Sequence, residues 1–283
     1  MAFTKPAVKL GTARMGQGNE RHTDTMEHLS AGVVIAYKAR PGGGYPTPEM
    51  KRKVNSAAIQ ARNIVRIAND ALAKVVLLRR RESQLMIDTV AKHYRLIAGD
   101  SAGGFLQNNI IDKPFKLNAV FDHDRRWVLN KIREMLLTLS AHLNTGVYLI
   151  DQDTAMRDVF DGQRQAVGHA PYSGWVGYVH PRTKRSICGF RSGEIHVNFP
   201  SLITYSLNTN ACIIIHEAAH KYLGILGDIY GDNINYPPAL QGQNGSLENA
   251  DSLAWTAVSL ATGAVRMEKP DGPDFENCPG AEL

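Results

Sequence analysis

Apolar residues recur at Val54, Ala57, Ala58, Ala61, Ile64, Val65, Ala68, Ala71, Leu72, Val75 and Leu78. That spacing keeps a 3.6-residue period for about seven turns, so it predicts one long amphipathic helix. Its start is marked as well. Thr47 can act as the N-cap. Pro48 suits the first helical position because it has no N–H to lose, and Glu49 falls where the helix dipole favours an acid. A rod of this length needs partners along its apolar stripe, which points to a helical layer over the N-terminal half.

Two more helical patterns supply such partners. One runs from Ser83 to about Leu96 with Leu85, Met86, Val90 and Tyr94. The other starts near Asp124 with Trp127, Val128, Ile132, Met135, Leu136, Leu139 and Leu143, and ends at Asn144-Thr145-Gly146. The middle of the chain changes character: residues 146–150, 174–179 and 194–199 read as short strands between turn residues, and residues 31–37 read as another. Helix returns over about 210–223 and 247–265. Helices, a small sheet and helices again give an α+β order, mostly helical. The segment 1–46, punctuated by Gly and Pro, reads as loosely structured. Residues 47–268 form the folded domain, with a helical layer (47–145) and a sheet-bearing part (146–268). Residues 269–283 read as a tail.

Composition excludes several classes. With 283 residues, 43% hydrophobic and 21% charged, the chain can bury a real core and is not wholly disordered. No apolar run approaches the roughly 18 residues of a membrane span. The net charge of +5 is short of the dense basic stripe of a nucleic-acid binder, and the clusters Lys51-Arg52-Lys53 and Arg79-Arg80-Arg81 read as solvated helix faces. Three cysteines, Cys188, Cys212 and Cys278, are too few for a disulfide scaffold. The N-terminus, Met1-Ala2-Phe3-Thr4-Lys5-Pro6, lacks the apolar stretch of a secretory signal. The expectation is a cytoplasmic chain, one exported without a cleaved signal, or one whose signal has been removed.

The chemistry concentrates in His216-Glu217-Ala218-Ala219-His220. On a helix, residues i and i+4 stand about 40° apart around the axis, so both imidazoles project to one side and can share a metal ion. Glu217 sits beside the first histidine, within reach of a water at such a metal. This is the HExxH arrangement of zinc hydrolases. Ile213, Ile214 and Ile215 before it and Leu223 after it suit a buried helix, capped at Thr209 or Asn210. The stretch 194–199 is expected to be the edge strand along which an extended peptide lies, with His196 at the rim of the site.

A zinc site of this kind needs a third protein ligand and leaves the fourth position open. Asp228 follows a helix end broken by Gly224 and Gly227, so its carboxylate can swing back toward the histidines. Asp232 lies four residues further on. Glu248 and Asp251 stand on the next helix, and Cys212 precedes His216 by one turn.

The set His216-Glu217-Ala218-Ala219-His220, then Gly227-Asp228-Ile229-Tyr230-Gly231, then Asn249-Ala250-Asp251-Ser252, resembles the aspzincin metallopeptidases, the family of deuterolysin and the peptidyl-lysine metalloendopeptidases, over about residues 47–265. The resemblance implies a zincin-like fold with a small sheet beside the motif helix. It implies Asp228 as third ligand, Tyr230 as stabiliser of the oxyanion, and Asp251 near the metal or lining the substrate pocket. The match has departures. One residue separates Asp228 from Tyr230 where the family has two, the family's Gly-Thr pair is absent, and Ala254 stands where lysine-specific members carry an acid.

The function expected from these residues is hydrolysis of peptide bonds in a protein or peptide substrate. Zn2+ held by His216, His220 and Asp228 would activate water, with Glu217 as general base and Tyr230 on the oxyanion. Two alternatives are an amidase acting on cell-wall peptides and a zinc-stabilised binding domain without catalysis. By analogy with bacterial relatives, delivery as an effector would add a secretion machine as a partner.

Overall fold

The computed structural model describes residues 24–38, 42–94, 96–98, 106–108, 125–151, 177–178, 194–225, 227, 229–231, 233–238 and 245–267. The described residues are mostly helical, with one five-stranded mixed sheet and a separate two-stranded sheet, an α+β architecture.

The long helix α1 spans Pro48–Val76, 29 residues, or about 43 Å at 1.5 Å per residue. Thr47 caps it as expected: its side chain accepts from Met50 N at 3.2 Å. Val54, Ala57, Ala58, Ala61, Ile64, Val65, Ala68 and Leu72 are fully buried along one stripe. The apolar period overran the helix by two residues, because α1 stops at Val76 and Leu78 is 63% exposed. Helix α2 spans Gln84–Tyr94 and α3 spans Arg125–Thr145. In α3, Val128, Ile132, Leu136, Leu139 and Leu143 are buried against α1. Each fully buried aliphatic side chain contributes roughly 1.5–3 kcal/mol, so this stripe-on-stripe contact is the main glue of the helical layer.

The larger sheet has five strands: β1 (Asp24–His28), β2 (Val33–Lys38), β5 (Val147–Asp151), β7 (Glu194–Val197) and β6 (Gly177–Tyr178), adjacent in that order. β2 pairs parallel with β5, Val33 opposite Val147, and β5 pairs parallel with β7, Leu149 opposite Ile195. β1 and β6 run antiparallel to their neighbours at the two edges. Alternation along the strands sends Val33, Ile35, Tyr37, Val147, Leu149, Ile195 and Val197 into the helical core. On the other face, Ala36, Tyr148 and Ile150 form a smaller buried cluster. A separate pair, β3 (Leu96–Ala98) and β4 (Leu106–Asn108), is antiparallel.

Two expectations change here. The segment up to residue 46 is not uniformly loose: β1 and β2 belong to the sheet, and β2 is interior to it. The stretch 194–199 is not an edge strand either. β7 has β5 on one side and β6 on the other, with His196 opposite both Ile150 and Tyr178, and Phe199 already begins a helix. Among the described residues the edge on that side is β6. Of the strand expected at 174–179, residues 174–176 and 179 lie outside the described residues, as do the loop at 101–104, the tail 269–283, Cys188 and Cys278.

Helix α4 (Phe199–Thr204) leads into α5 (Leu207–Ala218), and α6 spans Ala250–Thr262. α5 begins three residues earlier than expected because Ser206 is the cap, accepting from Thr209 N at 3.2 Å. Its polar first turn is buried with partners: Gln60 Nε2 donates to Asn208 Oδ1 at 3.0 Å, and Asn210 Nδ2 donates to Leu202 O at 2.8 Å. α5 packs on α1, α6, β6 and β7. The motif helix is therefore clamped between the helical layer and the sheet. No helix among the described residues is long and apolar enough to cross a membrane.

Candidate functional site

α5 carries His216 and Glu217 in its last turn and passes directly into a π-helical turn, Ala219–Leu223, that carries His220. π turns inside α-helices occur frequently at functional sites. His216 and Glu217 are buried and His220 is half-buried. Ala218 and Ala219 between the histidines are fully buried, and their small side chains let neighbouring elements pack close to the helix.

The two imidazoles converge. His216 Nε2 and His220 Nε2 lie 3.1 Å apart, and the rings stand at 72° to each other. The other nitrogen of each ring has an acceptor. His216 Nδ1 faces Asp251 Oδ1 at 2.8 Å, and His220 Nδ1 faces Ile225 O at 2.8 Å. These acceptors assign the ring protons to Nδ1 and leave each Nε2 an acceptor turned toward the other ring. With both Nδ1 atoms donating, each Nε2 turns its lone pair toward the other ring, and a cation between the two would be held by both. Two Zn–N bonds of about 2.0–2.1 Å at a tetrahedral angle put the nitrogens about 3.3 Å apart, so the pair fits zinc closely.

The backbone explains why the partners are there. Gly224 adopts a left-handed conformation, φ +71°, which ends the π turn and folds the chain back so that the Ile225 carbonyl meets His220. Gly227 then bridges to the start of α6: its N–H donates to Glu248 O at 2.9 Å, and Ala250 N donates to Gly227 O at 3.1 Å. A Cβ on Gly227 would stand 2.4 Å from Glu248 O, so only glycine permits this approach.

The segment Asn249-Ala250-Asp251-Ser252 acts as a clasp on the following loop. Asn249, fully buried, pairs with Ile229 at both backbone atoms: Ile229 N donates to Oδ1 at 2.8 Å, and Nδ2 donates to Ile229 O at 3.0 Å. Asn249 Nδ2 also donates to Ser252 Oγ at 3.0 Å. Asp251, buried, spends one oxygen on His216 and accepts from Gly231 N with the other at 2.8 Å. Tyr230, between these two anchored residues, lies parallel to His216 with ring centroids 5.6 Å apart and remains 45% exposed.

His216, Glu217, His220, Tyr230 and Asp251 are thus brought together. Asp228 and Asp232 lie outside the described residues, although Gly227 and Ile229, the neighbours of Asp228, are both pinned. Among the described residues no third His, Cys, Asp or Glu joins the histidine pair as a metal-holding group. Asp251 addresses the far nitrogen of His216, Glu248 is exposed and contributes its carbonyl to Gly227, and Cys212 is buried and forms no disulfide. The main chain of His196 lies in β7, and its side chain is outside the described residues. Sequence reasoning did not single out His93 and Tyr236, which bond to each other at 2.6 Å behind this loop. The available signal was a histidine on the apolar stripe of Met86 and Val90, a polar group at a core position. No protein-family model, curated protein or solved structure matches the chain.

Proposed function

We infer that the chain is a zinc-dependent peptidase with a zincin-like active site on α5. One observation carries this reading: His216 and His220 aim their Nε2 atoms at one point while acceptors hold both Nδ1 atoms, the outer support that metal-ligating histidines need. His216 and His220 are the two histidine ligands, and Asp228 is assigned as the third from the resemblance to the aspzincins. A bound zinc ion supplies a Lewis acid that polarises a scissile carbonyl and acidifies water.

The residues of the chain do the rest. Glu217, next to His216 and shielded from bulk solvent, accepts the proton of the attacking water and passes it to the leaving amine. Asp251 holds the His216 ring in one tautomer and orientation. Tyr230, exposed and stacked on His216, is the residue assigned to donate to the oxyanion that develops on the substrate. The two-residue strand β6, at the sheet edge beside α5, offers the backbone along which an extended peptide can add a strand.

The test is metal analysis of the purified protein together with hydrolysis of a denatured protein and of cell-wall peptides, for wild type and Glu217→Gln. Stoichiometric zinc and protein cleavage that the variant loses support the reading. Cleavage confined to cell-wall peptides would move the chain to the amidases. Zinc with no turnover on either would make the site a structural one, and no zinc would remove the reading.

A further inference from the structure

We propose that His93 and Tyr236 are positioning residues of this site, a buried latch that fixes the far end of the loop carrying Tyr230. The proposal rests on the peptidase reading for its function, while the latch itself is a matter of packing and hydrogen bonds.

The loop from Tyr230 to Tyr236 consists of two consecutive turns. Asn233 N donates to Tyr230 O at 2.9 Å, and Tyr236 N donates to Asn233 O at 2.9 Å. Asn235 N adds a bond to Asn233 Oδ1 at 2.9 Å. A constraint at Tyr236 is therefore transmitted through two short hydrogen-bonded links to Tyr230. The near end is already tied, by Asn249 at Ile229 and by Asp251 at Gly231. Between the ends the loop projects outward, and Ile234 is 95% exposed. Both neighbours of Tyr230 are tied at the near end, and a tie at Tyr236 closes the loop at its far end.

The second tie comes from α2, a helix that contributes nothing else to the site. His93 on its last turn is fully buried. Its Nδ1 lies 2.6 Å from the Tyr236 hydroxyl, and the rings meet edge to face at 72°. On the opposite side its Nε2 faces Ser259 Oγ of α6 at 3.4 Å. With Nε2 protonated toward Ser259, Nδ1 is an acceptor and Tyr236 O–H donates to it. Burial pushes the imidazole down to about 3, so it stays neutral and keeps this role across the physiological range. Burial also raises the Tyr236 phenol well above its ordinary value, with the Asp251 charge acting in the same direction, so its donor proton is retained. The latch thus joins three elements: α2 through His93, α6 through Ser259, and the loop through Tyr236.

The test substitutes Tyr236→Phe, which keeps the ring and removes only the donor, with His93→Asn as a second variant that keeps an acceptor at the δ position. Hydrogen exchange of the Ile229 and Gly231 amides is followed in metal-free protein, with the buried turns of α1 as internal reference. Tyr236→Phe should speed exchange at Ile229 and Gly231 about tenfold or more while α1 is unchanged, and His93→Asn should fall between it and wild type. In zinc-loaded protein, release to a chelator should be about 10–100-fold faster than in wild type, the usual effect of removing an outer support. Unchanged loop amides, or loop and α1 amides that speed up together, would overturn the latch. A wild type that binds no zinc while the loop amides respond as expected would refute the peptidase reading and leave the latch as a loop anchor only.

Discussion

Tyr230 lies flat against His216, the two ring planes within 6° of each other. The stack orients the tyrosine through its ring. Tyr230→Phe should therefore keep the stack, the fold and the zinc content, yet lower kcat by about 10²-fold or more with little change in KM, in line with the loss of one oxyanion donor. Steady-state kinetics beside metal analysis checks this. A change confined to KM would make Tyr230 a substrate contact instead.

On the peptidase reading, variants of Glu217 and of the histidines should separate chemistry from metal binding. Glu217→Gln should retain zinc and lower hydrolysis by at least about two orders of magnitude. His216→Ala or His220→Ala should abolish stoichiometric zinc, whereas His196→Ala should not. Full zinc occupancy without His220 would end the metal-site reading.

Asp228 and Asp251 differ in what they are asked to hold. Asp251 has one oxygen on His216 Nδ1 and the other on Gly231 N. Asp251→Ala should weaken zinc by about 10–100-fold without emptying the site at micromolar metal. Asp228→Ala should lose zinc on mild dialysis. Competitive chelator titration ranks the two, and the reverse order would transfer the ligand role to Asp251.

Gly227→Ala places a methyl group 2.4 Å from a backbone carbonyl that has no room to retreat, because Glu248 is part of the same bridge. The expected cost is about 1–3 kcal/mol. It should appear as a lower Tm, and as weaker zinc binding, since the bridge fixes the backbone one residue from the proposed ligand Asp228. An unchanged Tm would mean the bridge yields more easily than the geometry indicates.

Burial, with the Lys92 charge acting alongside it, pushes His93 down to about 3. In the unfolded chain the same ring titrates near 6.5. As the pH falls through about 6.5 the unfolded state takes up a proton that the folded state refuses until about pH 3. The stabilisation is therefore complete above about 6.5 and is lost on the way down to about 3, with a slope of up to about 1.4 kcal/mol per pH unit. Urea unfolding from pH 7 to 4 should show this slope in wild type and a shallower one in His93→Asn. Equal slopes would assign the acid sensitivity to other groups.

The parts legible in the sequence were those with a strong local signal. α1 was readable from its unbroken period and its Thr47-Pro48-Glu49 start, and the histidine pair from an i, i+4 spacing that only a helix can use. The order of the sheet was not. β2 and β5 read as strands, but their adjacency depends on a pairing across more than a hundred residues, which no local pattern encodes. β1, Asp24-Thr25-Met26-Glu27-His28, carries one large apolar residue and reads as loop. The clasp residues Asn249 and Ser252 stood out by resemblance, while their task, pinning Ile229, is visible only once the loop and α6 are side by side.

The parallel pairing of Val33 with Val147 also sets a schedule for synthesis. β2 leaves the ribosome with β1 already beside it, but its parallel partner β5 follows only after more than a hundred further residues have been made. Helices α1, α2 and α3 all lie between the two strands, and α1 and α3 form from local contacts and can pack against each other first. The helical layer thus becomes the template on which a waiting N-terminal strand is captured. The histidine pair on α5 and its partner Asp251 on α6 follow β5 in the chain, so they join a helical layer and sheet whose other parts precede them.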